Sequence, residues 1–152
     1  MKITELLTTS RIILNATAAT KEEVWDLLAQ TFEQTGIISD KQGYLADVNK
    51  RELLGTTGIG FGVAIPHAKS AAVLAPGLAF ARLTNKVDVQ SLDGSTADLF
   101  FLIAAPLQGD DVHLQALSRL ARMLMHVDFL SALRTAKTAE EICKVVQLQE
   151  AK

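Results

Sequence analysis

Asp98-Leu-Phe-Phe-Leu-Ile-Ala-Ala105 is an apolar run of strand length with no alternation between apolar and polar residues. A strand of that kind is buried on both faces, so it belongs inside a sheet that helices cover on either side. The flanking chain supplies the rest. Arg11-Ile-Ile-Leu-Asn15 is short and β-rich, Gly77 to Val87 is apolar at Leu78, Phe80, Leu83 and Val87, and Val63-Ala-Ile65 is a further short strand before Pro66.

Helices are expected between these strands. Thr20-Lys-Glu-Glu23 and Thr138-Ala-Glu-Glu141 both have the capping-box pattern, in which a hydroxyl is followed three residues later by Glu. The first opens a helix with Val24, Leu27, Leu28 and Phe32 inward and Gly36 to end it, and the second buries Ile142, Val145 and Val146. A third follows Asp110-Asp111, with His113, Leu117, Leu120 and Leu124 at helical spacing, and His126 falls near its end. A fourth runs from about Asp40 to Leu54, turns Leu45 and Val48 inward and stops at Gly55. Interspersed helices and covered strands make the class α/β, a mixed β-sheet flanked by helices. No linker, repeat or charge block divides the chain, so residues 1–152 read as a single domain.

Composition narrows the setting. Of 152 residues, 49% are hydrophobic and 21% charged, an ordinary globular balance. A net charge of -2 gives no general pull toward nucleic acid or an anionic membrane. The lone cysteine, Cys143, can form no internal disulfide. The longest apolar run, Leu99 to Leu107, is broken by Pro106 and falls short of the roughly 18 residues a membrane helix needs. The N-terminus lacks a signal peptide's apolar stretch. A soluble cytoplasmic protein is expected.

Chemistry concentrates in Leu54-Gly-Thr-Thr-Gly-Ile-Gly-Phe-Gly-Val-Ala-Ile-Pro-His67, which holds Gly55, Gly58, Gly60 and Gly62 within eight positions. On its own, such clustering reads as a flexible surface loop. It does not fit a dinucleotide fingerprint, because Ala-Ile-Pro follows where a helix should begin. Pro66 fixes the backbone ahead of His67, whose imidazole is a competent nucleophile near neutral pH. Taken alone, a histidine after a strand is more often packed or on the surface. His113 sits in the first turn of its helix, where an anion is favoured, though it could equally be a partly buried structural residue. Arg51, at the end of the Asp40–Leu54 helix, could clamp a phosphate or simply complement the helix end. Hydrolase elbows, zincin helices, cysteine-rich zinc sites and the Gly-x-x-x-x-Gly-Lys-Ser/Thr nucleotide loop do not occur.

Taken together, Arg51-Glu-Leu-Leu-Gly-Thr-Thr-Gly-Ile-Gly-Phe-Gly-Val-Ala-Ile-Pro-His67 resembles the active-site signature of the enzyme IIA components of the fructose/mannitol class. These belong to the phosphoenolpyruvate-dependent sugar phosphotransferase system, and the class includes a nitrogen-regulatory type. Ala104-Ala-Pro-Leu-Gln-Gly-Asp-Asp-Val-His113-Leu-Gln-Ala-Leu resembles the family's second segment.

The resemblance implies that His67 accepts a phosphoryl group on Nε2 from the phosphocarrier protein HPr and passes it to a cysteine of enzyme IIB. It implies that His113 assists transfer, that Arg51 gives electrostatic support, and that Thr57, Gly58, Gly60 and Gly62 shape the pocket. It implies no metal or nucleotide cofactor, and a mixed sheet covered by helices. Sugar relay and nitrogen-type regulation both remain open, beside a plain binding module whose histidine is never phosphorylated. Because donor and acceptor must dock over one patch, His67 should lie in a shallow exposed depression, with Phe61 among the apolar residues around it.

Overall fold

A computed structural model describes residues 2–108 and 111–152, and for Val112 and His113 the backbone alone. The order is α1 (Ile3–Leu6), β1 (Leu7–Ala16), α2 (Lys21–Gln34), α3 (Lys41–Leu53), β2 (Gly58–Gly60), β3 (Val63–Ala64), β4 (His67–Ser70), β5 (Gly77–Val87), β6 (Ala97–Pro106), α4 (Val112–Met123), α5 (Val127–Thr135) and α6 (Ala139–Glu150). This is the mixed α/β architecture read from the sequence.

β6 is the spine. It runs antiparallel to β5 and parallel to both β3 and β4, which lie end to end along its other side. β1 runs parallel to β5 on one flank and β2 antiparallel to β3 on the other, giving the order β1-β5-β6-β3-β2. Side chains of β6 alternate between two cores, as the pleat requires. Phe100, Leu102 and Ala104 pack toward α2 and α3, where Phe32 meets Tyr44 edge-on at 5.9 Å. Leu99, Phe101 and Ile103 pack toward α1, α4, α5 and α6, with the Phe80 and Phe101 rings 4.8 Å apart. Each fully buried Phe or Leu contributes about 1.5–3 kcal/mol, which makes this two-sided strand the main anchor of the sheet.

The helix starts follow local chemistry. Thr20 accepts from the Glu23 N–H while the Glu23 carboxylate accepts from the Thr20 N–H, a complete capping box. Gly36 then ends the segment at φ 76°, in the left-handed region. Asp40 caps α3 through the Gly43 N–H. At Thr138 the box is only half formed. Its hydroxyl accepts from the Glu141 N–H, but the Glu141 carboxylate reaches back to the Lys137 N–H instead.

Four features depart from the sequence reading. β1 begins at Leu7, four residues before Arg11, and a single-turn helix precedes it. The glycine segment is not a flexible loop: β2 and β3 form a hairpin whose central residues Phe61 and Gly62 both have positive φ, as primed turns require. His67 opens a strand of its own, β4, and does not end β3. His126 does not lie within α4, because that helix stops at Met123 and an extended His126 begins the separate helix α5. Asp110 and the side chain of His113 lie outside the described residues.

Candidate functional site

The site forms where the edge strand β4 passes between α3 and α4. Pro66 fixes its own φ and holds Ile65 extended. The Pro66 carbonyl accepts from the Ile103 N–H at 3.0 Å, seating His67 beside Ile103 at the start of the β4–β6 pairing. The Ile103 carbonyl accepts a 2.8 Å bond from the Tyr44 hydroxyl of α3. Burial pushes the Tyr44 phenol well above its usual range, so it remains a donor.

The His67 ring is fixed by its own backbone. Nδ1 lies 2.8 Å from the Ile65 carbonyl oxygen. A carbonyl can only accept, so Nδ1 carries the proton, and in the neutral ring the lone pair lies on Nε2. His67 is 7% exposed, and the depression it borders, about 450 Å³, is lined also by Asp47, Lys50, Arg51, Lys69 and Leu114. The expected depression is there, but the ring is tucked into its wall.

Three cationic side chains against one carboxylate make this depression suited to an anion. Arg51 also donates to the Gly55 carbonyl at 2.9 Å, so it both completes the helix end and borders the depression. Lys50 and Lys69 were missed in the sequence. The signal was there: Lys50 adjoins Arg51, and Lys69 lies two residues beyond His67, on the same strand face. His113 occupies the first turn of α4, next to Leu114 in the chain, and its side chain lies outside the described residues.

Thr57, Gly58, Gly60 and Gly62 do not line this depression. Thr57 is buried with its N–H and hydroxyl on the Glu52 carboxylate. A Cβ on Gly58 would lie 2.5 Å from Ser91 Oγ, and one on Gly62 would lie 2.5 Å from an Arg134 nitrogen. These glycines let the hairpin pass close to neighbouring chain. Phe61 is 69% exposed, yet Arg134 holds its carbonyl near Asp98, at the start of β6. The step in register from Val63–Leu99 to His67–Ile103 spans four residues, about 13 Å. Leu114, itself exposed, is an apolar residue that does line the depression.

Fold and site thus define a class: a helix-covered mixed sheet whose edge strand presents a backbone-anchored histidine in a cationic depression. Residues 5–148 match the family described as phosphoenolpyruvate-dependent sugar phosphotransferase system, EIIA 2, and the chain belongs to it. It is 42% identical over 146 residues to the fructose-specific EIIABC component of Bacillus subtilis, covering 96% of this chain but only 23% of that protein. It is 38% identical over 135 residues to the fructose-specific EIIA component of Haloferax volcanii, covering 89% and 88% of the two. The nitrogen regulatory protein of Bradyrhizobium diazoefficiens is 36% identical over 152 residues, covering 99% and 98%.

Among solved structures, the nitrogen regulatory protein IIA-Ntr from Neisseria meningitidis superposes with a TM-score of 0.88 at 30% identity, covering 95% and 98%. The mannitol enzyme IIA of Escherichia coli, solved in complex with phosphorylated mannitol enzyme IIB, shares the fold with a TM-score of 0.80 at 24% identity, covering 93% and 96%. Membership in this family implies a phosphotransferase role. No helix among the described residues is long and apolar enough to cross a membrane.

Proposed function

We propose that His67 is a transient phosphoryl carrier. Its Nε2 lone pair attacks the phosphorus of a phosphohistidine on HPr, forming a new P–N bond while the donor's P–N bond breaks. The ring then carries phosphoryl on Nε2 and a proton on Nδ1, and its positive charge faces the Ile65 carbonyl. In the second step a cysteine thiolate of enzyme IIB attacks the same phosphorus, and the electron pair returns to Nε2. Such transfers need mainly in-line positioning and charge stabilisation, and the cations Arg51, Lys50 and Lys69 are suited to the second. His113, at the start of α4, assists. A P–N bond retains enough transfer potential that neither nucleotide nor metal takes part, and the relay operates in the cytoplasm with HPr.

The 2.8 Å bond from Nδ1 to the Ile65 carbonyl is the observation that supports this reading, because it favours the tautomer whose lone pair is on Nε2. Sugar uptake of the fructose type is favoured by 42% and 38% identity to fructose-specific proteins. The regulatory reading, in which phosphorylation controls partner binding, rests on full-length similarity to nitrogen regulatory proteins. Incubation with labelled phosphoenolpyruvate, enzyme I and HPr should label the protein, and His67→Ala should abolish the label. An unlabelled wild-type protein would defeat both forms. Onward transfer to a cysteine of a sugar-specific IIB separates uptake from regulation.

A further inference from the structure

Behind the site, a chain of hydrogen bonds runs from a buried carboxylate to the histidine ring. Glu52, in the last turn of α3, has a side chain only 6% exposed. Its carboxylate accepts from the Thr57 N–H at 3.1 Å and from the Thr57 hydroxyl at 2.8 Å. The Thr57 carbonyl accepts from the Ile65 N–H at 2.9 Å, and the Ile65 carbonyl accepts from His67 Nδ1 at 2.8 Å. Glu52 is therefore linked to the ring through Thr57 and Ile65.

The carboxylate is itself braced. Lys21, the first residue of α2, places its ammonium 3.5 Å from Glu52 and 2.5 Å from the Gln90 side-chain oxygen. Thr56 adds a hydroxyl bond to the Val89 carbonyl. The start of α2, the end of α3 and the Val89–Gln90 segment thus converge on the two threonines that begin the hairpin. A buried carboxylate without a counter-charge would be costly, and Lys21 supplies one.

We propose that Glu52 is a positioning residue for phosphoryl transfer. Acting through Thr57, it sets the place of Ile65, whose carbonyl keeps the proton on Nδ1 and the lone pair on Nε2 of a ring that borders the depression. Nothing requires Glu52 to touch the phosphoryl group or either protein partner. The inference rests on His67 being the carrier, and its effect should appear on the ring even before any phosphoryl donor is present.

The test uses the full chain with Glu52→Gln, in which an amide NH2 replaces one accepting oxygen. Thr57→Val removes only the hydroxyl bond, and Thr57→Ser restores it. Long-range 1H–15N spectra read the His67 tautomer, and phosphorylation kinetics with HPr read transfer. In Glu52→Gln the Nδ1–H population should fall, and kcat should drop on the order of 10-fold with KM for HPr unchanged. Thr57→Val should shift both in the same direction by less, and Thr57→Ser should behave as wild type. Should Glu52→Gln fail to unfold cooperatively, the Thr57 pair decides. A wild-type tautomer and kcat in the folded variants, or a change in KM alone, would overturn the proposal. Absence of label on the wild-type protein would instead strike the carrier assignment, leaving the tautomer result to be read independently.

Discussion

His67 is oriented by the carbonyl of Ile65, two residues before it, at 2.8 Å from Nδ1. The imidazole and the group that orients it are thus parts of one short rigid turn through Pro66. Rotating the ring away would leave a buried carbonyl without that donor, at a cost of about 1–3 kcal/mol. That cost favours the observed ring orientation.

Tyr44 supports the same turn from the opposite face of the sheet, through its hydroxyl bond to the Ile103 carbonyl. Tyr44→Phe keeps the ring packing against Phe32 and removes only that bond. A stability loss of about 1 kcal/mol is expected, read as a lower urea midpoint at unchanged m-value. An unshifted midpoint would show that the hydroxyl contributes nothing.

If phospho-HPr docks over the depression, the cationic rim should act on encounter and on charge. Lys50→Gln and Lys69→Gln should each slow phosphorylation by phospho-HPr about 3- to 10-fold at low salt, with the difference shrinking as salt rises. Stopped-flow or quench measurements across ionic strength check this. Equal rates at low salt would remove these lysines from the account.

Glu150 ties the two ends of the described chain together. Its carboxylate accepts from the Ile3 and Thr4 N–H groups at 2.5 and 3.0 Å and pairs with Arg119 at 3.3 Å. Burial pushes its pKa upward, but those donors outweigh it and hold the carboxyl below the ordinary value. A depressed folded pKa contributes stability that is fully present above the unfolded value, about 4.3, and is lost as pH falls through the folded one. Glu150→Gln should therefore destabilise the protein at pH 7 by about 1–3 kcal/mol, with the gap to wild type narrowing below about pH 4. Denaturant melts at both pH values test it, and a pH-independent gap would contradict it.

Much of this was legible in the sequence where one strong local rule applied. The unbroken apolar run at Leu99–Ala105 marked a strand buried on both faces, and Thr20 with Glu23 marked a helix start that formed as written. Other features are decided by distant partners. β4 is strand only because it pairs with Ile103–Pro106, which the pattern around Pro66 cannot reveal. The start of α5 has no side-chain cap to announce it, although Phe129, Leu130 and Leu133 lie at helical spacing. The glycines resembled pocket lining, yet the neighbours that demand them, Ser91 and Arg134, lie more than thirty residues away in sequence. Lys50 and Lys69 come together with His67 around one depression only through the packing of α3 against β4.

A proton held on Nδ1 by the Ile65 carbonyl should direct the phosphoryl group to Nε2. The deciding measurement is to phosphorylate the 15N-histidine-labelled protein through enzyme I and HPr and to read 1H–15N and 31P spectra of the product. A single Nε2-phosphorylated His67 with its Nδ1 protonated is expected, with no phosphorylated product in His67→Ala. Phosphoryl on Nδ1 of His67, or on another residue, would contradict it.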